Sequence, residues 1–259
     1  MKALFKQAIV RTPGVNFDLG LTTVSLGRPD FALALEQHAA YCEALCACGV
    51  ELTALEPDVH HPDSTFVEDT AIVTARGAIL MRPGAESRAG EVEAIRPALE
   101  KVFGVMPAIE APGTVDGGDI CEAGEHFFLG LSHRTNKEGA RQLAVHLKAL
   151  GYTSSTVDVR AMTTILHLKS GIAHLSGNTL VVMEEMAERP EFAGYRLVRV
   201  SEEESYAANC VEVNDCVLVP AGFPRLTAEL ERLGYALSAL QMSEFRKMDG
   251  GLSCLSLRF

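Results

Sequence analysis

Residues 230–240 read LERLGYALSAL, and the fold is decided by how often this order recurs. ALCACGVELTAL (44–55), LEKVFGVMPAI (99–109), HLKALGYTSSTVDV (146–159) and RPEFAGYRLVRV (189–200) repeat it: a helix-like stretch, a glycine, then a short apolar strand. Gly49, Gly104, Gly151, Gly194 and Gly234 stand where a helix should stop, since glycine enters the left-handed conformation without a Cβ clash. Ahead of Gly151, Ala140, Leu143, Ala144 and Leu147 share one helical face, and Lys137, Arg141 and Lys148 lie largely off it. Pro29 and Asp30 open the first helix; Glu86 and Ser87 lie near the start of the second. Each glycine-led strand is followed by a polar bend and another apolar strand. The fifth unit ends at the C-terminus, so its missing strand is expected from the N-terminal KALFKQAIV. The pattern predicts an α/β fold, a five-bladed α/β propeller of pseudo-fivefold ββαβ-like units, with 1–259 as a single domain. The bends PDSTFVED, GTVDGGD, ILHLKSG, SYAANC and MDGGLSC would then converge on one central cavity.

The composition, 47% apolar and 22% charged, is that of an ordinary globular enzyme. With 23 basic against 34 acidic residues the net charge is −11, which argues against nucleic acid or an anionic membrane surface and suits a small cationic substrate. No apolar run approaches the roughly 18 residues of a membrane span. The apolar stretch near the N-terminus is interrupted by Arg11 and Pro13. Seven cysteines, an odd number with no CxxC pair, read as reduced thiols in a cytoplasmic protein. Cys42 and Cys46 share a helical face, with His60 and His61 soon after, but small buried thiols are the better reading than a metal site.

The chemistry lies in the bends. Cys254 is the one cysteine that follows a double glycine, and a modest pKa shift supplies a thiolate at neutral pH. His167, between Leu166 and Leu168 in the third bend, is the best proton carrier for it. His38 and His146 look helical, His60 and His61 adjoin a proline, and His126 precedes two phenylalanines. Asp116 and Asp119 flank Gly117 and Gly118 in the second bend, and Asp63, Glu68 and Asp69 occupy the first. Only His167 is placed to join these acids, so a metal is disfavoured and a guanidinium, whose planar N–H forks pair with carboxylates, fits better. Arg88 and Arg134 each precede a helix, where a cation opposes the dipole and a paired anion is expected.

PDSTFVED, RPGAESR, EAPGTVDGGDI, RTNKEGA, LHLKSG, EEESYAANC and KMDGGLSC together resemble the dimethylargininase (dimethylarginine dimethylaminohydrolase) family, collinearly over essentially the whole chain. That family belongs to the guanidino-modifying superfamily of five-bladed α/β propellers, in agreement with the repeat count. The resemblance implies Cys254 as nucleophile, His167 as general acid/base and Asp116 as the acid oriented towards His167. Close bacterial relatives carry glutamate in place of that aspartate. It further implies that Glu68, Asp69 and Asp63 contact substrate, that Arg88 and Arg134 fix its amino-acid end, and that Leu21, in FDLGL, belongs to a mobile lid. Arginine deiminases and amidinotransferases carry an aspartate two residues after the histidine; here that residue is Lys169. The expected activity is hydrolysis of an N-methylated arginine to citrulline and a methylamine through a covalent cysteine adduct, with no cofactor. A homodimer is compatible with a propeller of this size. The alternatives are another guanidino-group hydrolase, or a guanidinium-binding or metal-storing protein without catalysis.

Overall fold

A computed structural model describes residues 5–259. In chain order, β1 (Gln7–Arg11), α1 (Phe31–Ala47) and β2 (Glu51–Leu55) are followed by β3 (Ala71–Thr74), β4 (Gly77–Leu80) and α2 (Ala89–Phe103). Next come β5 (Ile120–Ala123), β6 (His126–Leu131), α3 (Lys137–Ala149) and β7 (Thr153–Asp158), then β8 (Ile172–Leu175), β9 (Thr179–Met183) and β10 (Arg196–Val200). The chain closes with β11 (Val211–Val213), β12 (Cys216–Pro220), α4 (Pro224–Arg232), β13 (Ala236–Leu240), α5 (Ser243–Arg246) and β14 (Leu257–Arg258).

These strands form five small sheets, the five blades that the repeat predicts. Each begins as an antiparallel pair, and in four of them the second strand also pairs in parallel with the strand behind the stop glycine. β14 lies antiparallel to β1, and β1 parallel to β2, so the two ends of the chain share one blade as expected. The part of the expected N-terminal strand at residues 2–4 lies outside the described residues. All five stop glycines have positive φ, from 66° at Gly104 to 96° at Gly194. Asp30 and Asn136 cap α1 and α3 by accepting the backbone N–H of Leu33 and Gly139.

Two units depart from the pattern. RPEFAG was expected to end a helix, yet the link from β9 to β10 contains only the 3₁₀ turns Glu184–Met186 and Pro190–Phe192. Arg189, ahead of Pro190, is extended at ψ 132°, because the proline ring disfavours helical backbone before it. In the second blade the expected third strand shrinks to a bridge between Leu80 and Ala108. Pro107 has no N–H to give to a ladder there, and its carbonyl instead accepts the Leu80 N–H at 2.9 Å.

Five buried apolar clusters fill the spaces between adjacent blades. Phe127, Leu129 and Leu143 meet Ile72 and Ile79 in one, and Leu218 and Phe245 meet Tyr41 and Leu45 in another. Burial therefore locks each blade to its neighbours, while the axis is left to polar groups. Five 3₁₀ turns, 67–70, 117–119, 168–170, 202–208 and 253–255, lie just ahead of β3, β5, β8, β11 and β14. They gather round the axis; Glu68, Asp69, Asp119 and Cys254 lie in them, and Asp116 and His167 immediately precede two of them. Among the described residues, no helix is long and apolar enough to cross a membrane.

Candidate active site

The turns approach one another so closely that glycine is required. A Cβ on Gly117 would lie 2.0 Å from the Glu68 carbonyl oxygen, and one on Gly118 would lie 2.7 Å from His167 Nδ1. In the fifth bend, a Cβ on Gly250 would meet the Phe66 ring at 2.3 Å. The two double glycines are thus the places where bends from different blades touch.

One cleft is lined by Cys254, His167, Asp116, Asp69, Asp63, Arg88, Arg134 and Leu21. Sulfur, imidazole and carboxylates drawn from four blades therefore share a cavity. His167 Nε2 lies 3.0 Å from Asp116 Oδ2, and the other Asp116 oxygen accepts the Gly84 N–H at 2.7 Å. Asp69 Oδ1 accepts the Gly118 N–H at 2.7 Å, and its Oδ2 accepts from Arg88 Nη1 at 2.5 Å. Each of these oxygens keeps a second lone pair for an incoming N–H donor. One ligand atom from each of Asp69, Asp116 and His167 falls within 4.8 Å of the others, so the trio has the spacing of a metal set. A metal ion there would compete with the imidazole and the Arg88 guanidinium for the same oxygens.

Burial alone would depress the His167 imidazole, but the charges of Asp69 and Asp119 and the hydrogen bond to Asp116 outweigh it and hold the pKa up at about 9. Burial, reinforced by the negative charges of Glu68 and Asp69, pushes the Cys254 thiol up to about 12. The resting cleft therefore holds a thiol and an imidazolium. Because the folded His167 pKa is raised above its usual 6.5, the resulting stability is full below that value and is lost as pH rises through about 9. Urea unfolding of the wild type and of His167→Asn should show this. The wild type's advantage should shrink by on the order of 2 kcal/mol between pH 6.5 and 9.5. An advantage that stays constant or grows would contradict the assignment.

The remaining expected residues divide by what they already hold. Arg134 is partly buried, and among the described residues its guanidinium has no hydrogen-bond partner. Arg88 is buried, spending its donors on Asp69, Glu91 and the carbonyls of Asp63 and Phe66. Asp63 accepts the Leu21 N–H at 3.0 and 3.2 Å, and so holds the segment that overhangs the cleft. Thr22 and Thr23 extend that grip, to the Lys247 carbonyl at 2.9 Å and to Asp249. With the segment seated, the cleft holds about 30 Å³, room for a water or two. Glu68 stands apart: its carboxylate takes Lys169 Nζ at 2.5 Å and Ser253 Oγ at 2.8 Å and does not line the Cys254 cleft. It faces a second cavity of about 570 Å³ on the other side of the turns.

A family model described as arginine deiminase matches residues 59–197. N(G),N(G)-dimethylarginine dimethylaminohydrolase of Pseudomonas aeruginosa is 49% identical over 257 residues, covering 99% of this chain and 100% of its own. The chain belongs to the dimethylarginine dimethylaminohydrolase family. A solved structure of the P. aeruginosa protein, a Cys-to-Ser mutant complexed with citrulline, superposes with a TM-score of 0.96 at 48% identity, covering 99% and 100% of the two chains. Another, a His-to-Gly form of dimethylarginine dimethylaminohydrolase as an adduct with S-methyl-L-thiocitrulline, gives a TM-score of 0.95 at 49% identity with the same coverage.

Against that family background, the cleft also contains Phe66, Leu166, Met248, Asp249 and Gly250, which the sequence reading did not single out. All five lie inside or beside the quoted motifs, so their proximity to Asp69, His167 and Cys254 was the available signal. Glu91, which supports Arg88, lies outside the quoted motifs, while Asn209, which bonds Ser253, lies within SYAANC but does not line the cleft.

Proposed function

We propose that the chain hydrolyses N-omega-methylated arginine, dimethyl or monomethyl, to citrulline and a methylamine, working as one catalytic unit in the cytoplasm. The observation that carries this reading is the shared cleft: a cysteine, a histidine paired with an acid, and buried carboxylates beside an arginine whose guanidinium makes no hydrogen bond among the described residues. The relatives' citrulline complex and thiocitrulline adduct support it.

The resting thiol requires activation, and a bound cation can provide it. A guanidinium held by Asp69 and Asp116 offsets the charges that keep Cys254 protonated; the thiol proton passes to solvent as the guanidinium binds, and the thiolate then attacks the planar carbon. A C–S bond forms; the C–N bond to the methylated nitrogen breaks, and His167 gives that nitrogen its proton. The neutral amine leaves an S-alkylthiouronium on Cys254. His167, now neutral, takes a proton from water as the water oxygen adds to the same carbon. The C–S bond breaks as the remaining hydroxyl proton of the adduct passes to sulfur, and citrulline departs with the thiol regenerated. No electrons are transferred overall, so the sequence of steps calls for no redox cofactor.

Arg134 lines the cleft with a guanidinium that makes no hydrogen bond among the described residues, and it suits the substrate carboxylate. Arg134→Ala should raise KM about 10- to 100-fold, the loss of one charge-assisted contact, and change kcat far less. An unchanged KM in steady-state assays would remove it from the binding site.

A second reading, a hydrolase of unmethylated arginine, is favoured by the arginine deiminase family match. The cationic Lys169 stands where a guanidinium-gripping carboxylate would be needed, and its ammonium is tied to Glu68. Citrulline assays across monomethylarginine, dimethylarginine, arginine and agmatine separate the two. Faster turnover of plain arginine than of either methylated form would overturn the proposed selectivity.

A further inference from the structure

Beneath the cleft, Asn209 ends the 3₁₀ turn 202–208, is buried, and uses every polar function of its carboxamide. Its Oδ1 accepts the Ser253 N–H at 3.0 Å, and its Nδ2 donates to Ser253 Oγ at 3.0 Å and to the Lys169 carbonyl at 2.8 Å. Ser253 Oγ in turn donates to Glu68 Oε2 at 2.8 Å, and Lys169 Nζ meets Glu68 Oε1 at 2.5 Å. Asn209, Ser253, Glu68 and Lys169 thus form a closed circuit drawn from four different blades. Ser253 immediately precedes Cys254, and Lys169 lies two residues after His167.

The turns 67–70, 117–119, 168–170 and 202–208 pack side by side, and 253–255 packs on 67–70. The remaining joint, between 202–208 and 253–255, is bridged by the Asn209 carboxamide. A Cβ on Gly251 would lie 2.5 Å from Asn209 Oδ1, so the carboxamide also fills the space under the double glycine. An amide alone suits this place. Aspartate lacks both N–H donors and would set a second negative charge beside Glu68, and an apolar side chain would leave the Ser253 N–H and the Lys169 carbonyl without partners.

We infer that Asn209 is a positioning residue for the reaction: it ties the Cys254 turn to the His167 turn and fixes sulfur and imidazole in register without touching substrate. The inference rests on Cys254 and His167 being the reacting pair. Asn209 lines the cavity on the far side of the turns rather than the cleft, so its effect reaches the chemistry only through the backbone on either side. Loosening it has two opposite consequences. The thiol, kept protonated by burial, gains water and reacts more readily with a small electrophile. The same freedom spoils the alignment that turnover needs, where a misplacement of about 1 Å costs about 100-fold.

Asn209→Ala and Ser253→Ala test this on the full chain, with folding checked by circular dichroism and thermal melting. In Asn209→Ala, kcat for methylated arginine should fall about 100-fold with KM within about threefold. Alkylation of Cys254 by iodoacetamide at pH 8 should meanwhile accelerate about tenfold or more as the thiol pKa moves back towards its ordinary range. Ser253→Ala keeps the Ser253 N–H and Lys169 carbonyl bonds and should move both readouts the same way by a smaller factor. A folded Asn209→Ala with kcat within twofold of wild type, or with a lost rate and unchanged alkylation, overturns the inference. Should Asn209→Ala not fold, an Ser253→Ala protein unchanged in both readouts overturns it equally. Wild-type protein inert towards methylated arginine would refute the proposed substrate, while the alkylation comparison would still decide the role of Asn209.

Discussion

Cys254→Ala abolishes citrulline formation, by roughly 10⁴- to 10⁶-fold, and leaves the propeller folded. The size of the effect follows from the electrophile. A guanidinium carbon carries delocalised positive charge and yields to water very slowly, so losing the covalent route removes most of the acceleration. The fold survives because Cys254 sits in a short turn, 253–255, where among the described residues its Sγ accepts only the Gly251 N–H, at 3.4 Å. Neighbouring Leu252 and Leu255 are fully buried and keep the turn in place. Citrulline assays with a melting curve on the same sample check both halves. A variant retaining a tenth of the wild-type rate would show that the sulfur is not the nucleophile.

Arg88→Met unfolds more easily than any substitution at the cleft surface, with a loss of about 3–5 kcal/mol. Arg88 sits between Asp69 and Glu91, with donor–acceptor distances of 2.5–3.1 Å and side chains no more than 6% exposed. Removing the guanidinium leaves Asp69 buried with only the Gly118 N–H and the His167 charge to hold it, and leaves Glu91, whose burial already raises its pKa to about 7, without its partner; breaking a buried group in this way costs more than the pair itself contributes. Asp69 shows the coupling: burial opposes its ionisation, yet Arg88, His167 and the Gly118 N–H hold its pKa down at about 2. Methionine keeps much of the arginine's volume, so the effect reports on charge rather than on a cavity. Urea denaturation at pH 7 measures it, and a loss below about 1 kcal/mol would mean that the buried acids find other partners or protonate easily.

The blades were legible because each is a local event. A stop glycine with positive φ, an amphipathic helix before it and a strand after it all fall within about 25 residues of one another. Even the closure of the last blade by the N-terminus could be read, since one unit lacked a strand. The fourth unit misled because Arg189-Pro190 stands where a helix would end, and its brevity carries no hydrophobic period to weigh against that. Within the site, Cys254, His167 and Asp116 were conspicuous as chemistry-bearing residues beside glycines. The direction that Glu68 faces was not legible. Its partners Lys169 and Ser253 are 101 and 185 residues away, and the choice between the cleft and the opposite cavity depends on the packing of the turns. Arg88 illustrates the same limit: its place before a helix was clear, whereas its engagement by Asp69 and Glu91 depends on a long-range meeting of the first bend with α2.

The most direct measurement is mass spectrometry of the protein quenched in acid during turnover of dimethylarginine, followed by peptide mapping. The peptide containing Cys254 should carry an added mass equal to the substrate less dimethylamine, and this species should disappear once substrate is exhausted. Steady citrulline production with Cys254 unmodified at every time point would contradict the account at its centre.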